Sequence, residues 1–292
     1  MSAYVYVNGK VSPAEQATVS VFDHGFLYGE GVYETLRTYD QRPFLFERHL
    51  RRLRQSASLM SLPVPFSDAD LRARVDETVA AHPELKNTEA YIRILVTRGI
   101  GDLSYNPAAT PLPSLVIIVK PFPAQPERAF SQGIRLALVS VRRNHPQALN
   151  PMIKSNNLIN NALAMQEALR QGADEALMQN QAGEIVECAQ SNFFVVRDGG
   201  LLTPPLSAGL LPGITREFVL ELASELRIPG REARLTPADL EHVDEAFITG
   251  TTREVTPVVA VSGTPIGNGK PGEISRRLLA RFREKVEARQ EV

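Results

Sequence analysis

One cysteine, Cys188, occurs in 292 residues, so no intrachain disulfide can form and a reducing compartment fits. Neither sign of charge is in excess: 32 basic and 33 acidic residues leave a formal net charge of −1. That balance gives no general attraction to nucleic acid, membrane surfaces or acidic partners. The longest apolar run, 115–119, falls far short of a membrane span and reads as a strand. The opening residues, Met-Ser-Ala-Tyr-Val-Tyr-Val-Asn-Gly, contain no signal-peptide-like apolar stretch. These absences predict a soluble, cytoplasmic protein. Five scattered histidines, with no Cys or His pair at ligand spacing, argue against a metal site. Gly29 and Gly31 lack the third glycine of a dinucleotide fingerprint, and Ser191 forms no triad motif with the histidines.

What is present is an ordinary globular core, 43% hydrophobic, in a chain long enough for one large or two medium domains. Asn8-Gly9 between two short β-patterns predicts a hairpin. Strands are expected over 32–39 and 42–46, and a helix over 47–60. Ser67 with Asp70 reads as a capping box opening a second helix. Strands over 90–97 and 114–119 lead into Lys-Pro-Phe-Pro-Ala-Gln-Pro-Glu, whose prolines mark the best linker in the chain. The expected division is therefore 1–119, a linker over 120–131, and 132–292. In the second part, Leu158, Ile159, Ala162, Met165 and Leu169 recur at helical spacing. Phe218, Val219, Leu222, Ala223 and Leu226 form another stripe, and a charged amphipathic helix covers 274–288. Thr236-Pro-Ala-Asp predicts a further helix start.

The chemistry is carried by five features. Lys154 stands on the turn before the helix that follows the domain joint, and interdomain clefts favour small-molecule sites. Leu-Pro-Gly-Ile-Thr-Arg, 211–216, offers the amides of Ile214 and Thr215 at a helix N-terminus, either as an anion cradle or as plain capping. Thr-Gly-Thr-Thr-Arg, 249–253, follows a strand and is either a second anion-binding turn or an ordinary one. The basic run 48–54 is either a solvated face or one from which a single arginine turns inward to a phosphate. Glu187 lies at a strand end among apolar residues, where an inward carboxylate needs a protonated partner. A lysine, two anion-type turns, an inward arginine and a buried glutamate match the needs of pyridoxal 5'-phosphate (PLP).

Those residues, in that order, resemble the fold-type IV, class IV PLP-dependent aminotransferases: branched-chain and D-amino-acid aminotransferases and aminodeoxychorismate lyase. The resemblance runs through 22–37, His-Leu-Arg-Arg-Leu (49–53), Ile-Lys-Ser-Asn-Asn (153–157), Glu187 with Ser191-Asn192-Phe193, 211–216 and Gly-Thr-Thr-Arg-Glu-Val-Thr-Pro (250–257). It implies an α+β, two-domain fold: a small α/β domain and a larger domain with a β-barrel-like core, assembled as a homodimer. It implies that Lys154 takes the cofactor covalently and shuttles the proton, and that Glu187 pairs with the pyridine nitrogen. Arg52, Ile214, Thr215 and Thr251 would hold the phosphate, and Leu211 would pack on the ring. Tyr33, Arg37, Tyr91, Arg93 and Thr252 would meet the substrate, an amino acid or its 2-oxo acid.

Tyr91-Ile-Arg93 and Thr203-Pro-Pro-Leu resemble the branched-chain enzymes, favouring leucine, isoleucine and valine with 2-oxoglutarate. Tyr33 and Leu158 are shared with the D-amino-acid enzymes. Their Arg and His carboxylate trap after Thr97-Arg98-Gly99 is replaced here by Ile-Gly-Asp-Leu-Ser-Tyr. The D-amino-acid activity is the second reading, the lyase the third, and an inactive PLP-fold binding module the non-enzymatic one.

Overall fold

The computed structural model describes residues 2–288. The chain divides into two compact units, Met1–Pro123 with Ile153–Leu158, and Ala124–Met152 with Ile159–Val292. Each carries its own sheet and core, giving the α+β, two-domain fold that the resemblance implies. Among the described residues no helix is long and apolar enough to cross a membrane.

The first unit is built on strands β1 (Tyr4–Val7), β2 (Lys10–Pro13), β3 (Gly31–Tyr39), β4 (Arg42–Pro43), β5 (Ala90–Thr97) and β6 (Ser114–Pro121), with helices α1 (His24–Leu27), α2 (Phe46–Leu59) and α3 (Asp68–Ala81). The sheet order is β2-β1-β6-β5-β3-β4, antiparallel throughout. Asn8 and Gly9 both take positive φ, which matches the twist of a two-residue hairpin. Ser67 and Asp70 cap α3 reciprocally, as their spacing predicts. The strand expected over 42–46 stops at Pro43, because Leu45 adopts a left-handed conformation and α2 begins at Phe46.

Period-two alternation then sorts the sheet's faces. Leu36, Ile92, Ile94, Ile117 and Val119 turn to one side and pack with Leu50, Leu53, Leu71 and Val75 from α2 and α3. Glu34 lies on that buried side too. Tyr33, Thr35, Arg37, Tyr91 and Arg93 take the other face.

Lys154 belongs to this first unit, although the linker-based division places it in the second. The reason is an open strand edge. β4 covers β3 only at Thr38 and Tyr39, leaving the beginning of β3 unpaired on that side. Residues 153–158 fill it: Tyr33 N–H donates to the Lys154 carbonyl at 2.9 Å, and Asn156 N–H to the Gly31 carbonyl at 2.8 Å. Gly31 permits this approach, since a β-carbon there would crowd the Asn156 side chain.

The second unit contains α4 (Glu127–Ser131), β7 (Ile134–Leu138), α5 (Ile159–Arg170), β8 (Glu175–Gln179), β9 (Ile185–Cys188), β10 (Asn192–Arg197), β11 (Gly200–Thr203), α6 (Ile214–Glu225), β12 (Gly230–Glu232), β13 (Glu245–Gly250), β14 (Glu254–Val261), β15 (Thr264–Pro265) and α7 (Glu273–Glu287). Its mixed sheet runs β12-β11-β10-β13-β14-β7-β8-β9, with β15 paired to β14. β9, at one end of that order, returns to contact β10, so the sheet curls on itself. α4 starts inside the stretch expected to be linker. Thr236-Pro-Ala-Asp opens a 3₁₀ turn over Pro237–His242, with its own capping box. α6 and α7 meet through Phe218 and Phe282, ring centroids 5.4 Å apart.

α5 departs from its expected stripe. It buries Ala164 and Ala168, whereas Ile159 and Leu169 are exposed. Small side chains let a helix lie close to β8, and they outrank the larger residues in setting its inward face.

Candidate active site

Lys154 is fixed by its backbone on both sides. Its N–H donates to Ser56 Oγ at 3.1 Å, and its carbonyl accepts from Tyr33 N. Ser56 is buried on the inner face of α2. With the main chain held, Nζ lies 4.5 Å from the centroid of the Tyr33 ring. The Arg93 guanidinium carbon lies 3.9 Å from the same centroid. Burial raises the Tyr33 phenol, but the positive charges of Lys154 and Arg93 outweigh it and hold the group below its ordinary value.

Arg93 is paired in register with Thr35, and Arg37 with Tyr91. Arg37 is sandwiched between Tyr39 and Phe122, its guanidinium carbon 3.9 and 3.8 Å from the two centroids. Five of the expected residues, Tyr33, Arg37, Tyr91, Arg93 and Lys154, thus occupy one face and edge of a single sheet. Planar guanidinium groups braced on aromatic rings are well placed to grip carboxylates by two parallel hydrogen bonds.

Arg52 takes the opposite side of that sheet. Within the run 48–54 it is the buried arginine, while Arg51 is exposed. It is inward, as expected, but the group it meets is a carboxylate of its own chain. Nε and Nη2 each donate to Glu34 at 2.7 Å, and His49 Nδ1 lies 2.7 Å from Glu34 Oε2. Burial would raise the Glu34 carboxyl; Arg52 and His49 reverse this and bring it down to about 2. Burial lowers His49, with Glu34 opposing, so the imidazole is neutral near pH 7 and donates its Nδ1 proton.

In the second unit Glu187 lies in β9 and is buried. Its protonated partner is Arg143, whose Nε donates at 2.7 Å. Leu211 N–H donates to the other carboxylate oxygen at 3.1 Å, and Asn192 Nδ2 approaches it at 3.5 Å. Asn192 also donates to the Leu211 carbonyl at 3.0 Å. Glu187, Asn192 and the chain leading into α6 are therefore tied into one cluster. A β-carbon at Gly213 would overlap the Asn192 side chain, so only glycine fits there.

Gly213 is the N-cap of α6 and has no side chain with which to cap it. The first amides of a helix have no partner within it, so Ile214 and Thr215 present N–H groups at a positive dipole end. Thr251 and Thr252 form the turn between β13 and β14. Thr249, just before this turn, pairs with Asn192, bringing the turn to the same end of the sheet. Ser191 Oγ and Thr249 Oγ1 are buried without a hydrogen-bond partner among the described residues. An uncapped helix start, a two-threonine turn, orphaned hydroxyls and a carboxylate with lone-pair capacity beyond its present donors fit a phosphorylated heterocycle.

Sequence reasoning missed Glu34, His49, Ser56 and Arg143. His49, Arg52 and Ser56 recur at helical spacing, so the inner polar face of α2 was written in the periodicity. Nothing local marks Arg143 as the partner of Glu187, forty-odd residues later.

A family model described as amino-transferase class IV matches residues 31–261. A relative from Methanocaldococcus jannaschii, provisionally named a branched-chain-amino-acid aminotransferase, is 40% identical over 280 residues, 96% of this chain and 95% of its own. A D-alanine aminotransferase of Listeria innocua is 34% identical over 284 residues, 97% of this chain and 96% of its own. The crystal structure of an Escherichia coli branched-chain amino acid aminotransferase superposes with a TM-score of 0.93 at 33% identity, covering 100% of this chain and 97% of that one. The chain belongs to the class IV aminotransferases and is a transaminase that uses pyridoxal 5'-phosphate.

Proposed function

We propose that this enzyme transfers the amino group of branched-chain L-amino acids to 2-oxoglutarate. Lys154 is the residue that takes the cofactor covalently, with Glu187 at the pyridine nitrogen and Leu211 against the ring. Arg52, the amides of Ile214 and Thr215, and Thr251 hold the phosphate. Tyr33, Arg37, Tyr91, Arg93 and Thr252 receive the substrate. When bound, PLP supplies the carbonyl that accepts an amino group and the electron sink for the carbanion. The chain supplies the rest. The Lys154 amine receives and returns the α-proton, and Glu187 pairs with the ring nitrogen and holds a proton there. Arg93 and Arg37 grip carboxylates, the second serving glutamate's side chain in the return half-reaction.

The observation that carries this reading is the sharing of the Tyr33 ring by Lys154 and Arg93, at 4.5 and 3.9 Å. A reacting amine and a carboxylate-binding guanidinium both lie against one ring, which suits a substrate that carries an amino group and a carboxylate. The rings of Tyr33 and Tyr91 offer apolar wall for a branched side chain. Burying an isobutyl group is worth roughly 1.5–3 kcal/mol, which favours leucine over alanine by about 10- to 150-fold. The test is a spectral half-reaction with each enantiomer in turn, followed by 2-oxoglutarate. L-leucine, L-isoleucine and L-valine should convert the cofactor, and the oxo acid restore it. Faster conversion by D-alanine or D-glutamate would replace this reading with the D-amino-acid one, in keeping with the Tyr33 and Leu158 that this chain shares with those enzymes.

A homodimer is part of the proposal. Phe22, Phe26, Ile100, Leu103 and Leu112 are large apolar residues left exposed in the first unit. Main-chain bonds tie this surface together: Gly101 N–H donates to the Phe22 carbonyl and His24 N–H to the Gly99 carbonyl. A patch of this kind marks an interaction surface, and a second copy is the occupant we assign. Light scattering on the purified protein tests it. A cytoplasmic location suits the single buried Cys188, which asks nothing of an oxidising compartment.

A further inference from the structure

We infer that Glu34 is the positioning residue for Arg52, acting on the cofactor's phosphate through that guanidinium. This rests on the functional reading above, in which Arg52 holds the phosphate. Glu34 itself faces the buried side of β3, opposite the Tyr33 face, and is fully enclosed. Three donor atoms converge on its carboxylate, each at 2.7 Å: Arg52 Nε on Oε1, and Arg52 Nη2 and His49 Nδ1 on Oε2. The two-point contact fixes the guanidinium plane, and His49 fixes the carboxylate. Arg52 and His49 stand on one face of α2, and Ser56 of the same face holds the Lys154 backbone. One helix, keyed to β3 by Glu34, therefore sets both the proposed phosphate arginine and the proposed reacting lysine.

Charge alone argues the other way. Glu34 neutralises Arg52, and His49 is neutral, so the cluster carries no net charge. Removing the carboxylate's charge leaves Arg52 more positive in effect and, by Coulomb attraction, tightens binding of a phosphate dianion. If orientation is what Glu34 contributes, the same change weakens binding. The two accounts differ in sign.

The experiment is equilibrium PLP binding to apo-protein for the wild type, Glu34→Gln, Glu34→Asp, Arg52→Met and the Glu34→Gln/Arg52→Met double variant. Glu34→Asp keeps the charge but is one methylene too short to hold both donors. Both single Glu34 variants should bind PLP more weakly by about 10- to 100-fold, the range seen when the orienting partner of a metal-ligating histidine is lost. The double variant should bind no more weakly than Arg52→Met, because the two residues act as one. Tighter or unchanged binding by either single variant, or additive losses in the double, would overturn the inference. If Glu34→Gln does not fold, Glu34→Asp decides by itself. Failure of the wild-type chain to bind PLP sinks the functional reading. Wild-type binding with unaffected Glu34 variants sinks this inference alone.

Discussion

Tyr33 donates its backbone N–H to the carbonyl of Lys154 at 2.9 Å, while its ring lies 4.5 Å from the same lysine's Nζ. One residue thus anchors the main chain of the reacting lysine and contacts its amine. Strand alternation explains how: the β3 edge supplies the hydrogen bond, and the face supplies the phenol.

The first expectation follows from the electrostatics of that pair. Lys154 lowers the Tyr33 phenol. Lys154→Met removes a positive neighbour and should raise the pH at which Tyr33 ionises. Ultraviolet difference titration of apo-protein, with Tyr33→Phe as the blank, reads this group among the other tyrosines. An unmoved or lowered ionisation would contradict the assigned contact.

Borohydride should fix the cofactor to Lys154, and Ser56 should prove part of its support. Ser56→Ala leaves the Lys154 N–H without its acceptor, a cost of about 1 kcal/mol in denaturant unfolding. A peptide map carrying the label on another lysine would remove Lys154 from its role.

Glu187→Gln should retain the cofactor yet lose on the order of 10²-fold or more in turnover, at least ~2.7 kcal/mol of barrier. It should also destabilise the fold by about 3–5 kcal/mol, because Arg143 would remain buried without its counter-charge. Full turnover in this variant would exclude Glu187 from the chemistry; unchanged stability would exclude the ion pair as a structural element.

Two buried glutamates should move stability with pH in opposite directions. Burial pushes the Glu175 carboxyl up to about 7 despite Arg253, whose Nη2 lies 3.6 Å away. The folded chain then holds a proton that the unfolded chain releases above its ordinary 4.5, so stability falls as pH rises from there to about 7. Glu175→Gln should be the more stable protein near pH 8, by up to roughly 3 kcal/mol. Glu34, held down to about 2, contributes stability that is present above 4.5 and lost as pH falls through about 2. Equal pH profiles for wild type and Glu175→Gln would contradict the first half of this account.

Much of the local fold was legible in sequence because local physics specifies it. Asn8-Gly9, the Ser67–Asp70 box and the Pro-Gly entry to α6 are short-range signals whose backbone geometry follows from the residues themselves. The order of motifs from 22 to 257 was enough to identify the family and its cofactor. Tertiary structure alone decided what each side chain meets. Lys154 follows the proline-rich joint in the chain, yet it packs with the first unit because β3 has an open edge there. The inward arginine was foreseen at Arg52, but its carboxylate partner sits on β3, and the partner of Glu187 is a distant arginine. α5 turns its alanines inward because closeness to β8 outweighs the size of Ile159 and Leu169. Periodicity along one segment records which side chains share a face; it carries no information about the group that face will meet, since that depends on contacts between residues far apart in the chain.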